Sequence, residues 1–149
     1  DAAHAIVPFH GQGMNCAFED CRILDATLAD HHGDAFARFE AARRADTEAI
    51  AQMALENYGE MRDAVLDPRF QLQKSLAMAL ERRHPGRFIP RYAMVMFHDR
   101  IPYSVALRRG QIQQAILDAL VPADASANFE PDWIQADRLV TQRLAPVSP

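Results

Sequence analysis

The sequence predicts a mainly α-helical chain that contains one short extended segment. Two observations carry this prediction. Apolar residues recur at helical spacing in several stretches, which Gly or Pro residues separate from one another. The run 88–98 differs from them, because it is short, apolar and bounded by Pro90 and Pro102, and we therefore expect it to be extended and buried.

The helices are placed by their start and stop residues. The turn 11–13 precedes the first helix, Asp34 is positioned to cap the second, and Pro68 follows a capping Asp at the start of the third. Pro122 ends the fourth helix. The predicted helices cover about residues 14–30, 34–65, 67–84, 103–120 and 131–144.

Apolar stripes within these helices give the expected packed faces. The stripe of the second helix includes a polar residue, Asn57, between apolar neighbours, and continues to Met61. The stripes of the later helices are regular and predict one core. Their members are Leu72, Leu76, Leu80, Ile112, Ile116, Leu120, Trp133, Ala136, Val140 and Leu144.

Composition and charge exclude several classes of protein. The 149 residues fit one domain, and 49% hydrophobic with 24% charged residues is ordinary for a soluble globular protein. A net charge of −4 argues against a nucleic-acid or anionic membrane surface. No apolar run reaches the ~18–20 residues of a membrane span. Because the chain starts at Asp1 inside its most functional-looking segment, we expect it to be the C-terminal piece of a longer protein.

The segment 1–15 carries the strongest functional signal. Gly11 and Gly13 permit positive φ and close approach of the backbone to a ligand. The helix that follows points free N–H groups back at this turn, and such an N-terminus favours negative charge by ~0.3–1 kcal/mol at exposed sites. A phosphate, a carboxylate or the N1–C2=O region of a reduced flavin would suit it. A tight turn before an ordinary helix is the alternative.

Metal, thiol and nucleophile chemistry is not expected. The six histidines show no metal-ligand spacing, and His4 is expected to be a hydrogen-bonded structural residue near the turn. Cys16 and Cys21 lie on different faces of one helix and over ~7 Å apart, which argues against a disulfide, and neither has a nearby basic pattern that would form a thiolate. A reducing cytoplasm is therefore expected. The pairs Arg43-Arg44 and Arg108-Arg109 are expected on solvated helix faces.

Asn57 and Tyr92 are the polar candidates downstream. A core amide bonded to backbone is the simpler interpretation of Asn57, because an amide on an apolar face needs hydrogen-bond partners. A core tyrosine with a bonded O–H is likewise the simpler interpretation of Tyr92. Methionines such as Met61 are typical of packing, although Met-lined pockets adapt well to flat ligands.

The opening motif and several later blocks resemble one family. The motif reads Asp-Ala-Ala-His-Ala, then Val-Pro-Phe-x-Gly-Gln-Gly-Met-Asn, then Phe-Glu-Asp at 18–20, and is similar to the second flavin-binding motif of the FAD-dependent aromatic hydroxylases. The blocks 57–62, 88–95, 101–103 and 109–110 resemble those of the kynurenine-hydroxylating members. The resemblance covers most of the chain up to about residue 120.

The resemblance implies which residues touch cofactor and substrate. Asp1 would hydrogen-bond the FAD ribose. The positions that would lie by the isoalloxazine are Pro8, Gly11, Gln12, Gly13, Met14 and Asn15. The positions that would face the substrate are Phe9, His10, Asn57, Met61 and Tyr92. No residue is expected to act as a catalytic acid or base, which fits chemistry carried by the cofactor.

The resemblance also implies an activity and a division of the chain. The activity is hydroxylation of L-kynurenine to 3-hydroxykynurenine with FAD, NADPH and O₂. Residues 1–30 would be the flavin-contacting segment with its helix, and 31–145 a helical C-terminal domain completing the substrate pocket. The fold would be the C-terminal part of a larger α/β hydroxylase.

Two alternatives to this activity stay open. One is a related hydroxylase of another aromatic acid, and the other is a non-catalytic helical fragment or interaction domain. The expected partners are the aromatic amino-acid substrate and the remaining N-terminal part of the same protein. Without the dinucleotide-binding part, the 149-residue chain is expected to be inactive and to bind FAD poorly.

Overall fold

The fold of the described residues is helical. The computed structural model describes residues 4–8, 11–30, 33–64, 66–98, 100–126 and 128–147, and these contain helices and no β-strand. The helices are α1 (Gly13–Asp30), α2 (Ala35–Gly59), α3 (Pro68–Arg83), α4 (Arg91–Phe97), α5 (Tyr103–Leu120) and α6 (Trp133–Arg143), and a π-helical turn, Glu60–Ala64, follows α2. The predicted mainly α-helical fold class is therefore confirmed. Among the described helices, none combines the length and apolarity that crossing a bilayer requires.

The chain divides into two compact units. The first unit is Asp1–Glu60 with Pro102–Ser104, and the second is Met61–Ile101 with Val105–Pro149. The first therefore contains α1, α2 and the first residues of α5, and the second contains α3, α4, α6 and the rest of α5. The division into segments 1–30 and 31–145 inferred from the family stays a prediction.

In the first unit, α1 packs against α2. The expected stripe of α2 is buried at Ile50, Met53 and Ala54, each 0% exposed, and Asn57 is half-buried. The stripe ends there, because the π-helical turn shifts the angular positions of the residues that follow. The expectation that Met61 continues the packed stripe is wrong, since its side chain is 59% exposed.

The apolar spacing of α1 predicts the helix but not its packed face. Met14 and Phe18 stand four residues apart, the spacing expected of a packed helical face, yet they are 64% and 65% exposed, whereas Cys16 is buried. The packed face is the one that also carries Asp20, because this side chain bonds to α2. A pairing of polar groups between helices is invisible to hydrophobic periodicity.

In the second unit, the expected core is confirmed at nearly every position. Helices α3, α5 and α6 bury one continuous cluster, which Phe88 and Val121 extend. Trp133 differs from the prediction, since it is 37% exposed and its ring lies 5.3 Å from the Arg83 guanidinium carbon. The buried cluster comprises Leu76, Leu80, Phe88, Ile116, Leu117, Leu120, Val121, Ala136, Leu139, Val140 and Leu144.

The extended segment predicted for 88–98 is largely wrong. Phe88 and Ile89 are buried and non-helical, but α4 occupies Arg91–Phe97. Pro90 is the N-cap of α4, and its carbonyl accepts the Met94 N–H at 3.0 Å. Proline is tolerated at a helix start, because the first N–H groups have no intrahelical acceptor there. Pro90, which the prediction used as evidence for an extended segment, is therefore the start of a short helix.

The predicted capping residues behave differently from one another. Asp67 accepts the Arg69 N–H at 2.9 Å and caps α3 as expected. Asp34 occupies the N-cap position of α2, but its side chain makes no capping hydrogen bond. Its carboxylate instead accepts from Arg38 Nε at 2.7 Å, a partner one turn along the helix that the sequence prediction did not consider.

Candidate functional site

The turn before α1 has the predicted conformation at its first glycine. Gly11 has φ +64°, and a Cβ built there would meet no atom within 4 Å. Its N–H donates to the Pro8 carbonyl at 3.2 Å, which closes the turn. Because this φ disfavours every residue with a side chain, Gly11 leaves bare backbone facing open space.

Donors without acceptors follow this turn. Within the described part of the chain, the N–H groups of Gly13, Met14 and Asn15 have no acceptor, and the Cys16 N–H is the first in α1 to donate, to the Gln12 carbonyl at 2.9 Å. The side-chain Nδ2 of Asn15 donates to Gln12 Oε1 at 2.9 Å, and Gln12 is only 3% exposed. This local bond fixes the side chains beside the free N–H groups. The start of α1 is therefore ready to accept an anionic or strongly polar edge.

Three of the residues that the family implies lie outside the described residues. These are Asp1, expected at the FAD ribose, and Phe9 and His10, expected between flavin and substrate. Their roles remain predictions.

A buried arginine underlies the start of α1. Arg43, on α2, is 3% exposed, which contradicts the solvated position expected for it. Its Nε donates to Asp20 Oδ1 at 2.6 Å, and its Nη1 lies 3.1 Å from Glu19 Oε2. Its Nη2 donates to Cys16 Sγ at 3.6 Å. One guanidinium therefore contacts three side chains on the first two turns of α1.

The same cluster reaches the residues before the turn. His4 Nδ1 lies 2.6 Å from Asp20 Oδ2, which confirms the structural, hydrogen-bonded role predicted for His4. The sequence prediction missed the convergence, which brings ligand-type atoms of His4, Cys16 and Asp20 within 4.8 Å of one another. A divalent cation there would lie beside the Arg43 guanidinium, which already occupies Asp20. The cluster is therefore a self-satisfied ionic network, and we propose no metal there.

The network perturbs two pKa values. Burial lowers the pKa of Arg43, but the hydrogen bond and charge of Asp20, with the charge of Glu19, outweigh it and raise the pKa. Burial, then the Asp20 charge, raise the pKa of the Cys16 thiol against the opposing effect of Arg43. The expectation that no basic residue lies near Cys16 is wrong, although burial and Asp20 together outweigh this arginine and favour the neutral thiol.

The first residues of α5 complete the network on its other side. Asp46 Oδ1 accepts the Ser104 N–H at 2.9 Å, and Asp46 Oδ2 lies 3.9 Å from Arg43 Nη1. Tyr103 is 7% exposed beside this network. Burial, followed by the Glu19 charge, raises the pKa of Tyr103 from 10.0 to about 12.

We expect Tyr103 to make the protein less stable at alkaline pH. The raised pKa means that the fold favours the neutral phenol, so its stabilising contribution is complete below pH 10 and is lost as pH rises towards about 12. Urea unfolding of wild type and Tyr103→Phe at several pH values between 9 and 12 measures this difference. The variant should lose less stability over this range, and identical pH profiles would contradict the assignment.

The residues expected at the substrate lie in separate units. Asn57 ends the packed stripe of α2 in the first unit, and Met61 and Tyr92 belong to the second. Tyr92 is 54% exposed on α4, so the core position expected for it is wrong. Its ring packs edge-on against Phe97, with centroids 6.4 Å apart. Pro90 starts a helix here instead of an extended segment, and the Tyr92 phenol is therefore exposed and not part of the core.

The Arg109-Gly110 pair has a packing role in the second unit. Arg109 donates from Nη2 to the Arg87 carbonyl at 2.6 Å and from Nη1 to the Ala145 carbonyl at 3.0 Å. Burial lowers the pKa of its guanidinium. A Cβ at Gly110 would lie 2.7 Å from Arg91 Cδ, so glycine permits close contact between α4 and α5. The solvated position expected for Arg109 is wrong.

A groove along α5 and α6 is a weaker candidate for a ligand site. It has a volume of about 410 Å³, and its lining residues are Arg108, Gln111, Ile112, Ala115 and Arg143. All of these except Ile112 are exposed, and none supplies a buried polar group aimed at a ligand. The groove therefore lacks the convergent, desolvated groups of a specific binding site.

A glycine turn that leads free N–H groups into a helix, followed by a helical domain, is the arrangement implied by the resemblance to FAD-dependent aromatic hydroxylases. No known protein-family model matches the chain. Over 150 aligned residues, 99% of the chain is 54% identical to the curated kynurenine 3-monooxygenases of Xanthomonas oryzae pv. oryzae (strain PXO99A) and Xanthomonas axonopodis pv. citri (strain 306). It is 53% identical to that of Xanthomonas campestris pv. campestris (strain B100).

The resemblance predicted from the motifs is therefore confirmed. The similarity also extends beyond residue 120, to nearly the whole chain. The chain spans 32% of the length of these relatives, as expected for part of a larger protein.

Proposed function

We propose that this chain is the C-terminal part of a flavin-dependent monooxygenase that hydroxylates L-kynurenine to 3-hydroxykynurenine, with FAD as cofactor and NADPH and O₂ as co-substrates. The observation that carries the proposal is the start of α1, in the motif that resembles a flavin site: Gly11 exposes bare backbone, and the N–H groups of Gly13, Met14 and Asn15 have no acceptor among the residues that the structure describes. The similarity to curated kynurenine 3-monooxygenases over 99% of the chain supports the same activity.

The residues at the start of α1 fit a flavin. Bound FAD supplies the oxygen-activating chemistry, and the protein supplies position and charge. The N–H groups of residues 13–15 would donate to the N1–C2=O edge, where negative charge develops when the flavin is reduced. Preorganised donors of this kind act without reorganisation, and loss of one costs about 3–4 kcal/mol in enzymes where it has been measured. Gly11 would let the backbone approach the ring, with Pro8 and Gln12 alongside.

Asn57 and Tyr92 would hold the amino-acid end of the substrate. An amide and a phenol can each donate and accept, which suits a group that carries both an ammonium and a carboxylate. Met61, with its flexible thioether, would line the pocket for the aromatic ring. The substrate would thereby be oriented towards the flavin, and this positioning is the contribution of the chain to the rate.

The proposed remainder of the protein would supply the dinucleotide-binding part. Asp1, Phe9 and His10 would contact FAD and substrate in the complete site. Met14 and Phe18 are 64% and 65% exposed on one face of α1, and such apolar side chains suit contact with that remainder.

The test of the proposal is an assay of the complete protein. Purified protein with bound FAD should oxidise NADPH and form 3-hydroxykynurenine from L-kynurenine in an O₂-dependent manner. Hydroxylation of another aromatic acid in preference to kynurenine would favour the related-hydroxylase alternative. Absence of both flavin and hydroxylation would favour a non-catalytic helical domain and contradict the proposal.

Substitutions of Asn57 and Tyr92 separate substrate binding from flavin binding. We expect Asn57→Ala and Tyr92→Phe each to raise the KM for kynurenine by about 10-fold or more, because each removes a hydrogen bond to a charged group worth about 1.5–3 kcal/mol. The flavin absorbance per protein should stay unchanged. Loss of flavin with an unchanged KM would contradict the assignment of these residues to the substrate.

A further inference from the structure

We propose that Arg43 is a positioning residue whose single buried guanidinium holds residues 11–15 from both sides, through His4 before the turn and through Cys16 after it. The inference rests on the proposed function, since it takes residues 11–15 to contact FAD. It gives α2 a role in cofactor binding, although Arg43 belongs neither to the flavin motif nor to the residues proposed to hold the substrate.

The leading end of the segment is tied down through Asp20. His4 precedes the turn, and its Nδ1 lies 2.6 Å from Asp20 Oδ2. The other oxygen of the same carboxylate accepts from Arg43 Nε at 2.6 Å. His4 therefore reaches Arg43 through one shared carboxylate that is only 13% exposed.

The trailing end is held by direct contact. Cys16 follows Asn15 immediately, and its Sγ accepts from Arg43 Nη2 at 3.6 Å. Glu19, one turn further along α1, lies 3.1 Å from Arg43 Nη1. The contacts to Cys16, Glu19 and Asp20 fix the axial position of the first turns of α1, whose N–H groups face the proposed flavin.

The geometry requires an arginine. A guanidinium presents several N–H donors in a rigid planar fork, whereas the single ammonium of a lysine cannot reach the same acceptors together. Arg43 is also anchored from behind, because Asp46, one turn further along α2, lies 3.9 Å from its Nη1 and bonds the Ser104 N–H. Through Asp46, the Arg43 guanidinium is therefore connected to the start of α5 as well as to α1.

The neighbouring Arg44 provides a matched control. It lies on the same helix, carries the same charge and pairs with Glu48 at 2.9 Å, but its side chain is 69% exposed. It makes none of the contacts of Arg43 with α1. A change that acts through charge alone or through general loss of helix α2 would affect both positions.

The test measures how oxidised and reduced FAD bind to the complete protein and to its Arg43→Lys, His4→Gln and Arg44→Lys variants. Arg43→Lys loosens both ends of the segment, and His4→Gln releases only the leading end while leaving the contacts of Arg43 with α1. Circular dichroism and thermal unfolding first establish that each variant is folded. The flavin midpoint potential then gives the ratio of the affinities for the two redox states.

The inference predicts that Arg43→Lys and His4→Gln bind FAD about 10-fold more weakly or worse. Loss of a residue that orients a metal ligand by hydrogen bonding lowers metal affinity by a similar factor. The inference also predicts a more negative midpoint potential in both variants, because displaced N–H groups stabilise the anionic reduced flavin less. A merely structural role would lower thermal stability without moving the potential. Arg44→Lys should match wild type in affinity and potential.

Other results would overturn the inference in distinguishable ways. If wild type binds FAD, and Arg43→Lys and His4→Gln bind it with the affinity and potential of Arg44→Lys, the positioning role of Arg43 is wrong while the proposed function stands. If wild type binds no flavin, the proposed function fails and the inference fails with it. If Arg43→Lys does not fold, His4→Gln alone decides the question on the same two measurements.

Discussion

Replacing Arg43 with Met is expected to lower the free energy of unfolding by about 3–5 kcal/mol, the range for breaking a buried ion pair by removing one partner. Arg43 is 3% exposed and Asp20 is 13% exposed, so the carboxylate would remain in a site that water reaches poorly. The apolar Met side chain fills similar space but leaves Asp20 Oδ1 and Cys16 without their donor, while His4 still lies 2.6 Å from Asp20 Oδ2. The cost therefore comes mainly from a poorly solvated carboxylate that loses its arginine partner.

Urea unfolding of the purified protein measures this cost, with Arg44→Met as the matched control. Arg44 pairs with Glu48 at an exposed site, where an ion pair contributes about 0–1 kcal/mol. Arg43→Met combined with Asp20→Asn should be less destabilised than the sum of the two single variants, because the unpaired charge is gone. Equal effects of Arg43→Met and Arg44→Met would show that the network contributes nothing to stability.

Replacing Phe88 with Ala is expected to cost about 3–5 kcal/mol, the range for truncating a buried aromatic residue. Phe88 is 1% exposed and belongs to the core cluster of the second unit with Leu80, Leu120 and Val140. Its loss removes the transfer free energy of the ring and leaves a cavity that helices from several parts of the chain line. They cannot collapse into it without moving one another.

Phe36→Ala is the control for this change, since that ring is 72% exposed on α2. Thermal and urea unfolding should show a large shift for Phe88→Ala and a change within about 0.5 kcal/mol for Phe36→Ala, as for surface positions in general. Comparable small shifts in both variants would mean that Phe88 is not part of a packed core.

The helices were predictable because their signals are local. Pro68 and the capping Asp67 define the start of α3, and the regular leucine spacing of α3 predicts which face is buried. The sequence prediction fails at 91–97. Pro90 can start a short helix as readily as it can bound an extended segment, and here it starts α4. Local rules allow both outcomes at a proline, so the sequence alone does not decide between them.

The network around Arg43 was not predictable from the sequence. Arg43 and Arg44 are adjacent and chemically identical, yet they are 3% and 69% exposed, respectively. The difference arises only when Asp20 and Glu19 on α1 are brought opposite α2. Helical periodicity assigns charged residues to solvent, because it contains no information on which charges meet a partner on another element.

The candidate site divides in the same way. The positive φ of Gly11 was predictable, since glycine adopts this conformation without steric cost in a turn before a helix. The half-exposed positions of Tyr92 and Met61 were not, because they depend on α4 and on the π-helical turn. The exposed phenol and thioether are nevertheless compatible with residues that contact a ligand.

The dissociation constant of FAD in the complete protein with Gly11→Val tests the central claim most directly. Valine at φ +64° is strained, and its side chain would enter the open space proposed for the flavin. Strain at this φ costs about 1–3 kcal/mol. A turn that relaxes to relieve it moves away from the position that contacts FAD, so FAD binding is expected to weaken by about 5- to 150-fold. Gly33→Val, where a Cβ meets no atom within 4 Å and which lies beyond the end of α1, should leave it unchanged. Equal affinities of wild type and Gly11→Val for FAD would contradict the placement of the flavin against residues 11–15.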